Sequence, residues 1–192
     1  MADKASFRAQ MRERETDIPE SARLESDRLL REQFLALDAV ERAHTLLLFY
    51  GMGYEVDTRP LLDALRARGK RVLLPRCLPG HRMEARQYDP ARLQQHRYGM
   101  WEPDETCPVV EQGEIDLILV PALCYDRQGR RMGRGGGFYD RYLADFGGVT
   151  VGLCRSALLC EAVPTDPWDR PVQCVLTERG RFMKEKSGQP RF

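Results

Sequence analysis

Four short apolar runs, each too brief for a buried helix, constrain this chain most: Thr45 to Tyr50, Arg71 to Pro75, Ile115 to Val120 and Val149 to Leu153. Strands that are apolar without alternation are buried on both faces, as in a parallel sheet covered by helices. Helical patterns lie between them. Thr58 is placed to cap a helix with Pro60 in its first turn, Leu61, Leu62 and Leu65 give it an inward stripe, and Gly69 ends it. A further helix is expected over Gly137 to Phe146, and Gln173 to Thr177 reads as a last strand. Ahead of the first run, Leu24, Leu29, Leu30, Phe34, Leu35 and Leu37 recur near helical spacing in a charged stretch that starts about Lys4, and Pro19 divides it into two helices.

Alternating strands and helices in a chain of 192 residues predict an α/β fold with one sizeable core. The expectation is a single three-layer αβα domain over residues 1–192 with a mostly parallel, mixed central sheet of Rossmann-like type. N-terminal helices would occupy 1–37 and a frayed tail 184–192. The polar, proline-containing segments 79–90 and 94–112 read as loops too long for minimal connections, and such loops often build a site. Charged residues at 31% and hydrophobic ones at 42% exclude a disordered or membrane-embedded chain. A net charge of +1 gives no bulk field to recruit nucleic acid or an anionic membrane, so partners must be argued from sites; small-molecule partners and a monomer are expected. The start, MADKASFRAQ, is charged where a signal peptide is apolar, and a cytoplasmic protein is expected. Six cysteines without a C-x-x-C pair and three histidines argue against zinc. His44, His81 and His96 receive no catalytic role.

The most informative segment runs from Val120 to Leu143. A strand, a loop with four glycines and three arginines, and a helix start follow in that order. Glycines let backbone N–H groups approach an anion, and a helix start adds partial positive charge. Arg130, Arg131 and Arg134 can clamp phosphate oxygens. Asp140, one turn further, suits a Mg²⁺ ligand better than a bare phosphate neighbour. The segment is neither a Walker P-loop nor a dinucleotide fingerprint. On pattern alone a Mg-nucleotide loop stands beside a glycine-rich turn with solvated arginines, and beside an RNA-contacting arginine–glycine segment.

At Arg131-Met132-Gly133-Arg134-Gly135-Gly136-Gly137-Phe138-Tyr139-Asp140, preceded by Val120-Pro121 and Asp126, the chain strongly resembles the 5-formyltetrahydrofolate cyclo-ligase family. Further matches follow in order: Lys4 and Arg8, Glu55-Val56-Asp57-Thr58, Leu73-Leu74-Pro75-Arg76, Glu102-Pro103 and Val163-Pro164. Gly136 departs from relatives that carry lysine there. The resemblance implies an ATP- and Mg²⁺-dependent enzyme that turns 5-formyltetrahydrofolate into 5,10-methenyltetrahydrofolate, releasing ADP and phosphate after phosphorylation of the formyl oxygen.

Residue by residue, the resemblance implies that Lys4, Arg8, Arg131, Met132, Gly133, Arg134, Gly135, Gly136, Gly137, Phe138 and Tyr139 carry ATP. Tyr50 and Glu55 would line the folate site, with Arg134, Gly135, Gly136, Gly137 and Phe138 shared. Asp140 and Asp169 would hold Mg²⁺, and Arg134 and Asp140 would be catalytic. Tyr98 and Trp101 are aromatic rings able to stack on a pterin or to pack in the interior. Rival readings are a sugar-phosphate isomerase-like or CoA-transferase-like enzyme on a related scaffold, and a non-catalytic binder of folate or RNA. ATP dependence separates them.

Overall fold

The computed structural model describes residues 3–96 and 99–183; Tyr98 and the tail expected over 184–192 lie outside the described residues. Helices α1 (Lys4–Thr16) and α2 (Glu20–Leu35) are the expected pair, and α3 (Asp38–Arg42) is a short third. Pro19 stands immediately before α2 with φ −55° and ψ 144°. Its ring fixes φ and offers no N–H, so it begins a helix rather than continuing one.

Strand β1 (Thr45–Leu47) is shorter than its apolar run. Leu48 N still donates to Leu73 O at 3.0 Å, but the Phe49 carbonyl then accepts the Thr58 hydroxyl, whose oxygen accepts Gly51 N at 2.9 Å. Thr58 therefore ties off the 51–58 loop instead of capping α4 (Arg59–Ala67) with its side chain. Gly51 permits the tie, since a Cβ there would stand 2.1 Å from Val56 O. On α4, Leu61, Leu62 and Leu65 are fully buried, each contributing about 1.5–3 kcal/mol.

Strand β2 (Arg71–Leu78) runs beyond the expected Pro75 and pairs antiparallel with β3 (Arg82–Gln87). The expected loop 79–90 is thus mostly a hairpin. Only Met83 and Ala85 of β3 are buried, while Arg86 and Glu84 pair at 2.5 Å, so charge disguised a period of two. The expected loop 94–112 is likewise broken up, by β4 (Leu93–Gln95), β5 (Trp101–Pro103) and β6 (Val109–Val110). Strand β7 (Leu117–Val120) leads into a hairpin of β8 (Cys124–Asp126) and β9 (Arg131–Met132). The helix expected over 137–146 is cut to α5 (Phe138–Tyr142), because the backbone then tightens into turns, with Ala144 N bonded to Arg141 O and Phe146 N to Leu143 O. Strands β10 (Val149–Leu153), β11 (Leu159–Cys160), β12 (Cys174–Thr177) and β13 (Gly180–Met183) complete the chain.

Among the described residues the main sheet has the order β13-β12-β10-β7-β1-β2-β3-β6, with β12, β10, β7, β1 and β2 parallel and antiparallel strands at both ends. Leu46, Leu117 and Leu119 join Phe34, Leu61 and Leu65 in one core; Leu47, Ile118 and Val120 join Met11, Tyr125 and Met132 in the other. The three layers stand as expected, except that the layer with α1 and α5 also contains the small sheet β11-β8-β9. From β1 the chain steps through α4 to β2, then later returns to β7 on the other side of β1. A crevice opens beyond the carboxyl ends of parallel strands at such a reversal. No helix of the described residues is long and apolar enough to cross a membrane.

Candidate active site

At this reversal the segments leaving β1, β2 and β7 line a cleft of about 750 Å³, with Tyr50, Cys77 and Pro121 among them. That size falls within the range of small-molecule sites. The residues that the resemblance assigns to ligands reach this cleft: Lys4, Arg8, Tyr50, Glu55, the run Arg131 to Asp140, and Asp169 all line it. Arg130, expected to clamp phosphate with Arg131 and Arg134, is not in the wall. It lies in the β8–β9 turn, where Asp126 takes its Nε at 2.6 Å and also accepts Gln128 N, Arg130 N and Val163 N. The acidic residue of the motif thereby shapes the turn.

The turn brings Arg131 inward. Its side chain is 4% exposed and bonds Asp140 Oδ1 at 2.8 Å, and the same oxygen accepts Arg170 N at 3.1 Å. Arg131 Nε is buried without a partner among the described residues, an uncommon state for a guanidinium nitrogen. Lys4 bonds Asp166 at 2.7 Å and also Asp169. Burial opposes the charge of the ammonium, but the two carboxylates outweigh it and hold the pKa above its ordinary value. Asp140 Oδ2 and Asp169 Oδ1 have no partner among the described residues.

Helix α1 also holds the glycine segment. Arg8 Nε donates to Gly133 O at 3.0 Å, and Arg12 Nη2 to Arg134 O at 3.3 Å. The Arg134 guanidinium lies between two carboxylates, with Nε 2.7 Å from Glu55 and Nη2 3.1 Å from Glu15. Burial works against its charge; Glu55 and Glu15 overcome that and raise its pKa. Glycine is required at 137, where φ is +68° and a Cβ would meet Arg141 Nη1 at 2.7 Å. At Gly136 the backbone is ordinary, but the Phe138 ring lies where a side chain would begin, 2.7 Å from a Cβ.

The opposite character appears where β2, β3 and β5 meet. Cys77 and Met83, paired across the hairpin, line the cleft with Met100, Trp101 and Phe138. Glu102 is buried in this apolar wall and accepts Cys77 N at 3.0 Å. Burial, assisted by Glu102, pushes the Cys77 thiol up to about 11. The Tyr139 hydroxyl is buried without a partner among the described residues, and burial, with Glu55 and Cys77 adding, drives its pKa upward.

Sequence reasoning did not assign Glu15, Asp166, Arg170 or Arg155. Arg155 follows β10 and ion-pairs with Asp27 at 2.7 Å while donating to Tyr54 O at 2.6 Å and Glu55 O at 3.0 Å, so it pins the backbone that presents Glu55. The Asp166-x-x-Asp169 spacing was the one local signal for Asp166. The others have meaning only through contacts distant in sequence.

The model of the 5-formyltetrahydrofolate cyclo-ligase family matches residues 1–178. The Escherichia coli (strain K12) 5-formyltetrahydrofolate cyclo-ligase is 33% identical over 145 residues, which cover 72% of this chain and 80% of that protein. The Mycolicibacterium smegmatis 5-formyltetrahydrofolate cyclo-ligase is 33% identical over 187 residues, covering 92% and 94%. The solved structure of Aquifex aeolicus 5,10-methenyltetrahydrofolate synthetase is similar with a TM-score of 0.85 and 26% identity, covering 98% of this chain and 96% of that one. Likeness therefore extends from Lys4 through the glycine segment to Asp169, across all the segments that meet in the cleft, and the chain belongs to the 5-formyltetrahydrofolate cyclo-ligase family of enzymes.

Proposed function

We propose that this enzyme closes 5-formyltetrahydrofolate to 5,10-methenyltetrahydrofolate at the expense of ATP, with ADP and phosphate released. One observation carries the reading. A single cleft joins a cationic wall of Lys4, Arg8, Arg131 and Arg134 to an apolar wall of Met83, Met100, Trp101 and Phe138. The first suits a triphosphate and the second a flat heterocycle, so both reactants can be held side by side.

The formyl oxygen attacks the γ-phosphorus and ADP leaves. N10 then bonds to the activated formyl carbon, gives up its proton, and phosphate departs as the five-membered ring closes. The protein needs no nucleophile of its own for this. Arg134, held by Glu55 and Glu15, is positioned to stabilise charge on the transferring phosphoryl oxygens. Arg131 and Arg8 fix the phosphates, and Glu55 orients the folate. Asp140 and Asp169 each have an oxygen free among the described residues. Two carboxylates completed by substrate phosphates are a common Mg²⁺ donor set, and the ion would neutralise phosphate charge there.

Absorbance-monitored turnover of 5-formyltetrahydrofolate tests the reading. The methenyl chromophore should form with MgATP and not without it, which also separates this reaction from isomerase-like chemistry on a related scaffold. Arg134→Ala and Asp140→Ala should each lower kcat by about 100-fold or more, the scale on which one transition-state charge contact acts, while circular dichroism stays that of the parent. Near-parental turnover in both would refute the site assignment.

A further inference from the structure

Glu102 is a buried carboxylate with no cation paired to it among the described residues. It sits on β5 at 5% exposure, lines the cleft, and has one hydrogen bond among the described residues, from Cys77 N to Oε2. An ionised carboxylate has about four acceptor positions, and its burial in an apolar wall is unfavourable unless they are used. The bond to Cys77 N ties β5 to β2, but a neutral amide oxygen would tie them equally well. Among the described residues nothing else donates to the charge, and Glu102 lines the cleft, where a ligand can.

Glu55 is already occupied: Oε1 takes Arg134 Nε at 2.7 Å and Oε2 takes Met52 N at 3.1 Å. Glu102 shares the lining of the cleft with the sulfur and aromatic side chains of Cys77, Met83, Met100, Trp101 and Phe138, which suit the faces of a planar ring rather than its edge. We infer that Glu102 is the specificity residue for the heterocycle, accepting two parallel N–H bonds from the N3–H and 2-amino edge of the reduced pterin. This rests on the folate reading above. The division of labour is then spatial: Glu102 grips the far edge of the ring, and Glu55 and Arg134 serve the end where the formyl group meets the phosphate.

The test compares the parent enzyme and Glu102→Gln, each titrated with 5-formyltetrahydrofolate and with its 2-desamino analogue, alongside steady-state kinetics. Glutamine keeps the acceptor for Cys77 N and removes the charge, so the melting temperature should hardly move. The parent should bind the amino compound about 10- to 100-fold more tightly than the analogue, the range for hydrogen bonds to a charged group. In Glu102→Gln that preference should collapse to within about threefold, with KM for folate raised and KM for ATP unchanged. Equal affinity of the parent for both compounds overturns the assignment without any variant, so a misfolded Glu102→Gln does not protect it. A preference retained in a folded Glu102→Gln overturns it too. If the parent neither binds nor turns over 5-formyltetrahydrofolate, the folate reading fails first, and that outcome is distinct from turnover without discrimination at the 2-amino group.

Discussion

Glu15 lies buried on the inner side of α1, between a guanidinium that favours its charge and a carboxylate that opposes it. Arg134 Nη2 is 3.1 Å away, yet burial prevails, with Glu55 adding repulsion, and the carboxyl pKa is raised above its ordinary value of 4.5. A raised pKa means that the folded state binds the proton more tightly than the unfolded chain does. The stability associated with that proton is full below the unfolded value and declines as pH rises through the folded one. Glu15→Gln removes this decline. Measured as melting temperature, the variant should gain on the parent as pH rises above the ordinary carboxyl value of 4.5, and a difference that stays constant as pH rises would contradict the placement. The same change frees one side of Arg134. KM for ATP should therefore rise even where stability improves, the trade expected when a charge is buried to orient a reacting group.

The element that depends most on remote support is the 51–58 loop. Arg155 and Asp27 are 3% and 6% exposed, and together they fasten it: Arg155 donates to Tyr54 O and Glu55 O, and Asp27 accepts Asp57 N at 3.1 Å. Removing one member of a buried pair strands the other, so Arg155→Met should cost about 3–5 kcal/mol in urea unfolding. Arg155→Lys keeps the charge but lacks the planar fork that reaches both carbonyls and Asp27. It should unfold with a smaller loss and still show a raised KM for folate, because Glu55 is no longer pinned; an unchanged KM would remove the positioning role. None of this was legible in the sequence, since Arg155 and Asp27 are separated by 128 residues and neither has a motif of its own. The apolar runs, by contrast, disclosed the parallel centre of the sheet, and the glycine segment disclosed its side of the cleft through residues adjacent in sequence. Strand β3 was hidden because four of its six residues are charged or amide, although Met83 and Ala85 kept the period of two. Arg130 was misassigned because three neighbouring arginines look alike until the β8–β9 turn sends one to Asp126 and another into the cleft.

Across the whole molecule, the N-terminal helix closes a site whose chemistry lies far along the chain: Lys4 and Asp166 are 162 residues apart. Helix α1 has little apolar anchorage, Met11 being its only buried hydrophobic residue. Phe7 adds a partly buried contact, and the rest of its hold on the site is polar, through Lys4, Arg8, Arg12 and Glu15. Partly exposed ion pairs contribute little and weaken with salt, so α1 should detach well below the free energy of global unfolding. A triphosphate held by Lys4 and Arg8 would bind only the closed arrangement and stabilise it in proportion to its concentration. At about 100 times Kd the gain is about 2.7 kcal/mol. Amide hydrogen exchange reads this directly. With MgATP, the amides of α1 should slow by about 100-fold, whereas those of β7, which open only with the whole sheet, should follow the global stability instead. In the free enzyme, added salt should speed exchange in α1 and leave β7 unaffected. Exchange in α1 as slow as in β7 before any nucleotide is added would mean that Met11 and its neighbours hold the helix without the ion pairs, and that the cleft is closed by packing rather than by charge.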